Sequence, residues 1–226
     1  MPVYLLSEEP YFPNPSEAEE DGCLAIGGDL STIRLINAYY NGIFPWYNEG
    51  EDIMWFSPDP RLVIYPNEFK ASKSLRKIIT KNTFDVKINS DFEQTIQNCA
   101  FISRQDQDGT WINKDMIQAY INLHHEGWAH SIEVYENSEL IGGLYGILLG
   151  NVFFGESMFH KKSNASKVAF YHLIEKCKES NISLIDAQQD TPHMRSLGGK
   201  LIERRRFIDT IHTLITPENL QNNFRF

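Results

Sequence analysis

An α+β fold in two unequal parts follows from three features of the sequence. The first quarter is rich in loops and acids, three strand-like segments in the second half are joined by hairpin dipeptides, and amphipathic helical segments surround them. The expected sheet is mixed and largely antiparallel, flanked by helices. With 226 residues, 42% of them hydrophobic and 23% charged, the chain can bury a sizeable core, and disorder as a whole is excluded.

The expected small N-terminal domain covers residues 1–62 and the larger domain residues 63–226. Pro10, Pro13 and Pro15, then Gly22, Gly27 and Gly28, punctuate the first part. Ser31 can cap a helix carrying Ile33, Leu35, Ile36, Ala38 and Tyr39, which Gly42 stops. Aromatic loops at 44–47 and 54–61 follow, held extended by their prolines. In the second part Ser90 and Glu93 form a capping box before Phe92, Ile96 and Cys99, and Asn113 caps a helix that ends at Gly127. Ser131 to Glu136, Glu139 to Leu149 and Val152 to Phe159 read as an antiparallel meander, turned at Asn137-Ser138 and Gly150-Asn151. A helix from Ser166 to Glu179, a strand from Ile182 to Gln188 and a last strand from Leu201 to Ile208 complete the expectation.

Charge is unevenly placed. The net −9 resides in residues 1–60, where 11 acids face the single base Arg34, while 19 acids balance 20 bases afterwards. Between Arg61 and Lys81 six bases accompany one acid, and Lys73, Arg76 and Lys77 share a helical face. That face is either simply solvated or meets an anionic partner, so overall acidity does not exclude RNA. Cys23, Cys99 and Cys177 are odd in number, widely spaced and without CxxC, which points to a reducing cytosol rather than a disulfide framework. The N-terminus lacks a basic leader and the apolar core of roughly 7–15 residues that a signal peptide needs. The most apolar stretch, Leu140 to Gly155, is 16 residues long and holds five glycines, short of the ~18 residues of a membrane span.

Several motifs fail on inspection. His125-Glu126 begins like HExxH, but position 129 is Ala and Gly127 ends the helix. Gly155-Glu156-Ser157 begins like a nucleophile elbow, yet Phe159 stands where the tight turn requires glycine. Seven scattered histidines offer no metal-ligand spacing, so no metal is expected. What remains is polar residues inside apolar strands: Glu156 in Val152 to Phe159, and Asp186 and Gln188, whose spacing of two puts them on one strand face. Buried carboxylates need partners, and these three mark either a polar site or a hydrogen-bonded structural pair.

Meander, helix, strand and final strand is the element order of the GNAT acyltransferase superfamily. Its CoA-binding Q/RxxGxG/A loop is missing, because His160-Lys161-Lys162-Ser163-Asn164-Ala165-Ser166-Lys167 contains no glycine. The chain closely resembles the leucyl/phenylalanyl-tRNA-protein transferases. The strings that carry the likeness are GCLAIGGDLS at 22–31, NGIFPWY at 41–47, MWFSPDPR at 54–61, GTWI at 109–112, HSIEV at 130–134, FFGESMF at 153–159, NASK at 164–167, LIDAQ at 184–188 and SLGG at 196–199.

The resemblance implies a cytoplasmic enzyme with a GNAT-like C-terminal domain. It would move Leu, Phe, or less readily Met, from aminoacyl-tRNA onto proteins beginning with Arg or Lys and so mark them for degradation. No cofactor, metal or membrane is implied, and a monomer is expected. Trp46 and Trp111 would flank the 3′-terminal adenosine, with Tyr120 hydrogen-bonding near the same end; stacking on each aromatic is worth about 1–3 kcal/mol. The aminoacyl side chain would enter a pocket of Leu144, Phe153, Met158, Phe170, Leu173, Cys177 and Ile185. Lys73, Arg76, Lys77 and Lys81 would hold acceptor-stem phosphates without reading sequence. Aminolysis of the ester requires an α-amine to lose a proton and an oxyanion to be accommodated. Asp186, oriented by or acting through Gln188, is the expected base or anchor, and Glu156 would hold the acceptor's cationic end or the donor's amino group. The rival readings are a CoA-dependent acetyltransferase and a noncatalytic RNA-binding module.

Overall fold

The computed structural model describes residues 3–101 and 112–221. In chain order the elements are β1 (Tyr4–Leu6), β2 (Cys23–Gly27), α1 (Thr32–Tyr40), β3 (Phe44–Pro45), β4 (Met54–Phe56), β5 (Arg61–Ile64), α2 (Lys73–Lys81), β6 (Asp85–Ile88) and α3 (Phe92–Phe101). They continue with α4 (Lys114–His125), β7 (Ala129–Glu136), β8 (Glu139–Leu149), β9 (Val152–His160), α5 (Ala165–Glu179), β10 (Leu184–Asp186), α6 (Pro192–Ser196), β11 (Lys200–Ile202) and α7 (Arg204–Leu214).

Two sheets result. The small one has the order β1-β2-β4-β3 and the large one β11-β5-β10-β9-β8-β7-β6. In the large sheet the pairing is antiparallel except between β9 and β10. That exception follows from α5, which carries the chain from the end of β9 back to the start of β10. The fold is therefore α+β, with a mixed, largely antiparallel sheet flanked by helices.

Both faces of the large sheet are covered, and its strands show it residue by residue. Phe154, Ile147, Val63 and Leu184 pack into one apolar core, while their neighbours Phe153, Leu148, Ile64 and Ile185 pack into another. The second core is closed by α5 and α2 through Phe170, Leu173, Ile174, Cys177 and Leu75. The first includes α1, α3, α4 and α7 and also the small sheet, so Leu24 and Trp55 share a core with Phe154 and Phe207. The change of sheet falls between Phe56 and Arg61, within that continuous core.

Most local expectations are met for the stated reasons. The Asn113 side chain accepts from Met116 N at 3.0 Å and starts α4, and Ser72 does the same for Leu75 N at 3.1 Å in α2. Asn137 and Ser138 both take positive φ, 51° and 67°, as a tight hairpin requires. Five details differ. Ser31 stands at the N-cap of α1, but its side chain makes no capping bond. The cap of α3 is Asp91, which accepts from Gln94 N, while Ser90 turns its hydroxyl to the buried Glu133. The aromatic loops contain the short strands β3, β4 and β5. The strand expected over 182–188 ends at Asp186. The expected last strand, 201–208, is β11 followed by α7, because Phe207 and Ile211 are buried four residues apart on one helical face.

Candidate active site

β10 pairs with β9 only from Leu184 to Asp186, after which β9 continues to His160 alongside β8 alone. Where the two parallel strands diverge, a cavity of about 910 Å³ opens. Its walls come from both faces of the sheet: Phe153, Phe170, Leu173 and Ile185 on the side of α5, and Phe44, Trp46 and Glu156 on the other. Such a mostly apolar recess with a few polar groups suits a small organic group on a larger ligand.

Glu156 owes its position to a β-bulge. Tyr145 pairs with Ser157 and Gly146 with Gly155, leaving Glu156 as the unpaired extra residue. Its carboxylate is buried and accepts from Tyr39 Oη at 2.8 Å, Tyr120 Oη at 3.0 Å and Gln188 Nε2 at 2.8 Å. The two tyrosine hydroxyls also meet each other. Burial pushes the Glu156 carboxyl up to about 7; the charge of Asp186 adds to the rise and the three donors oppose it. Both tyrosines are held well above the usual phenol range, by burial first and then by the Glu156 charge.

Asp186 sits in a different environment. Arg61 at the start of β5 grips it with Nε to Oδ1 at 2.9 Å and Nη2 to Oδ2 at 2.7 Å, and both side chains are fully buried. The guanidinium lies between the rings of Phe44 and Phe207, 4.8 and 4.7 Å from their centroids. Asp186 Oδ1 also accepts from Gln188 N at 2.9 Å. Gln188 has a φ of 57°, so a turn rather than strand pleating brings Asp186 and Gln188 together. The expectation from spacing alone is corrected on that point.

Of the sequence-selected residues, Glu156, Asp186, Gln188, Trp46, Leu144, Phe153, Met158, Phe170, Leu173 and Ile185 line the cavity. Tyr120 does not; it lies fully buried behind Glu156. Cys177 does not either, being buried in the core beneath α5. Trp111 lies outside the described residues. Lys73, Arg76, Lys77 and Lys81 are all exposed on α2 and make no ion pair among the described residues. Arg61, although it begins the same basic stretch, is not part of that surface.

A model of the leucyl/phenylalanyl-tRNA protein transferase family matches residues 63–212, and one of that family's N-terminal domain matches residues 28–59. A leucyl/phenylalanyl-tRNA–protein transferase of Syntrophobacter fumaroxidans is 51% identical over 208 residues, covering 92% of this chain and 89% of that protein. The chain belongs to the leucyl/phenylalanyl-tRNA protein transferase family. It is thus an aminoacyltransferase. The transferase of Desulfatibacillum aliphaticivorans is 50% identical over 224 residues, covering 99% of this chain and 96% of its own. Among solved structures, FemX has a similar fold, with a TM-score of 0.50 at 10% identity over 80% of this chain and 71% of that one.

Two members of the transferase's polar network escaped sequence reasoning, Arg61 and Tyr39. Arg61 had a visible signal: a lone cation opening the apolar strand Arg61-Leu62-Val63-Ile64, matched by a lone anion in Leu184-Ile185-Asp186. Two buried opposite charges in apolar strands need each other. Tyr39 had none, since it reads as one more apolar position of α1.

Proposed function

We propose that this transferase moves Leu or Phe, and Met less readily, from aminoacyl-tRNA to the α-amine of proteins that begin with Arg or Lys, so marking them for degradation. It would act in the cytoplasm as a monomer, without CoA or metal. Membership of the family carries the reading, and the cavity supports it. Among the described residues no helix is long and apolar enough to cross a membrane.

In this reading the aminoacyl side chain lies against Leu144, Phe153, Met158, Phe170, Leu173 and Ile185. Trp46, half-buried at the cavity wall, stacks on the terminal adenine, with Trp111 as its expected counterpart. The four cations of α2 hold acceptor-stem phosphates through charge alone. An acceptor α-amine titrates at about 7.7–8.0 and must shed a proton to attack. Glu156 has the affinity to take that proton, since burial places it near 7. The amine nitrogen bonds to the ester carbonyl carbon, the carbon–oxygen bond to the ribose breaks, and the ribose oxygen leaves as a hydroxyl with the proton that Glu156 took from the amine. Asp186, already gripped by Arg61, is a positioning residue: it fixes the backbone of Gln188, which fixes Glu156. This differs from the expectation that Asp186 is the base or anchor for the amine and that Glu156 holds a cationic group.

The deciding assay follows labelled Leu and Phe from their charged tRNAs to a peptide beginning with Arg and to one beginning with Ala, with no ATP, metal or CoA. Selective labelling of the Arg peptide is expected. No labelling of either, with folded protein and intact charged tRNA, sinks the reading. Glu156→Gln separates it from a noncatalytic RNA binder: turnover should fall while tRNA affinity is kept.

A further inference from the structure

The start of α5 is a feature that aminoacyl transfer, as described so far, leaves unused. Gly142 of β8 lets this helix end press onto the sheet, since a Cβ there would stand 2.5 Å from the Ala165 Cβ. The cap residue Asn164 has a φ of 71° and makes no side-chain cap bond. The backbone N–H groups of Ser166 and Lys167 find no partner among the described residues. An uncapped N-terminus of a 15-residue helix is thus left with open donors and the positive end of its dipole.

A second observation points to a ligand. Ser166 is only 5% exposed and lines the cavity, and its hydroxyl makes no hydrogen bond among the described residues. A hydroxyl on a nearly buried residue that faces a recess and is unclaimed by protein is open to a polar ligand. One cation follows it directly in the chain. Lys167 forms no ion pair among the described residues, and His160 and His193 line the cavity. Burial first, and then the charge of Lys167, depress the His193 imidazole, so it stands there as a neutral group. The Glu156 carboxylate is set apart from this end of the cavity, since it precedes His160 by four positions on β9, roughly 13 Å of strand.

We propose that the N-terminus of α5, with the Ser166 hydroxyl and Lys167, binds a phosphodiester of the RNA 3′ end next to the terminal adenosine. The loop needs no glycine for this, because the anion meets an open helix end and a side-chain hydroxyl rather than a backbone cradle. The site would set how far the 3′ end enters the cavity and hence where its ester meets Glu156. This inference rests on the proposed aminoacyl-tRNA donor.

The test measures binding of uncharged CpCpA and of adenosine by calorimetry to the full chain, to Ser166→Ala and to Lys167→Gln. The unaltered protein should prefer CpCpA by about tenfold or more, the equivalent of one charge-assisted contact. Each variant should lose most of that preference while its affinity for adenosine stays the same. A CpCpA with neutral methylphosphonate linkages should behave like adenosine. Equal affinity for CpCpA and adenosine in the unaltered protein, or equal weakening of both by each variant, overturns the proposal. So does coenzyme A competing as tightly as CpCpA, which would place a different phosphate ligand there. Lys167 is half-buried and outside the cores, so its variant keeps the test open should Ser166→Ala fold poorly. Because binding needs no turnover, this outcome is separate from that of the peptide-labelling assay.

Discussion

Two buried carboxylates share one cavity and are treated in opposite ways. Asp186 has a full counter-ion, with both oxygens engaged by Arg61. Glu156 is surrounded by neutral donors: two phenols and an amide. The two-pronged grip of Arg61 ties the Asp186 side chain to the architecture. Neutral donors soften the cost of charge without removing it, so Glu156 is left close to balance between its two protonation states. The difference separates a residue that builds the site from one that can exchange a proton within it.

The comparison breaks most severely at Arg61. Arg61→Ala should strand Asp186 as an unpaired buried anion and destabilise the protein by about 3–5 kcal/mol. Urea or thermal unfolding would measure it. The double variant Arg61→Met with Asp186→Leu should recover most of that loss, because two apolar side chains need no counter-ion. A double variant as unstable as Arg61→Ala alone would show that the arginine matters through its packing between Phe44 and Phe207 and not through charge.

The second effect is a pH dependence with a definite sign. The folded Glu156 holds its proton up to about 7, against an ordinary value of 4.5. Between these values the folded chain binds a proton that the unfolded chain has lost. Stability from this group is therefore fully present below 4.5 and is lost as pH rises through about 7. The change amounts to roughly 3 kcal/mol across the window. Catalysis should run the other way, because only the carboxylate accepts a proton, so the single-turnover rate should climb across the same interval. Glu156→Gln should flatten the stability profile when unfolding is followed from pH 4 to 8.

How much of this was legible beforehand depends on the range of the interactions. The meander and α5 were readable because their signals are local: strand-length apolar runs separated by left-handed turn residues at Asn137, Ser138 and Gly150, and the helical spacing of Val168, Phe170, Tyr171, Ile174 and Cys177. Glu156, Asp186 and Gln188 were readable as polar residues set in apolar strands. Their roles were not, since Arg61 and Asp186 are 125 positions apart and Tyr39 and Glu156 are 117 apart. The bulge that aims Glu156 exists only in the register of β8 against β9. α7 was misread because Leu201 to Ile208 joins a short strand to the first turn of a helix, and Phe207 and Ile211 reveal their period of about four only when followed further.

Glu156→Gln carries the third prediction. The amide keeps the volume and can still accept from a tyrosine, yet it cannot take a proton. Single-turnover transfer from charged tRNA should fall by about 100-fold or more. The affinity for tRNA should remain. A rate within a few-fold of the unaltered enzyme would mean that positioning alone drives the aminolysis, and Glu156 would then rank with Asp186 as part of the framework.

Tyr39→Phe should have the smallest and most informative effect. The change deletes one donor to Glu156, at a stability cost of about 1 kcal/mol for a single hydrogen bond. That bond favours the ionised form, so its loss should move the midpoint of the rate profile upward from about 7 by roughly one pH unit at most. The plateau rate at high pH should be nearly unchanged, because the carboxylate remains in place on the bulge and Tyr120 and Gln188 still hold it. A purely structural tyrosine would lower the plateau and leave the midpoint where it was. A shifted midpoint with an intact plateau therefore identifies the neutral donors as what tunes Glu156, and with that the reason this carboxylate, rather than the one clamped by Arg61, meets the amine.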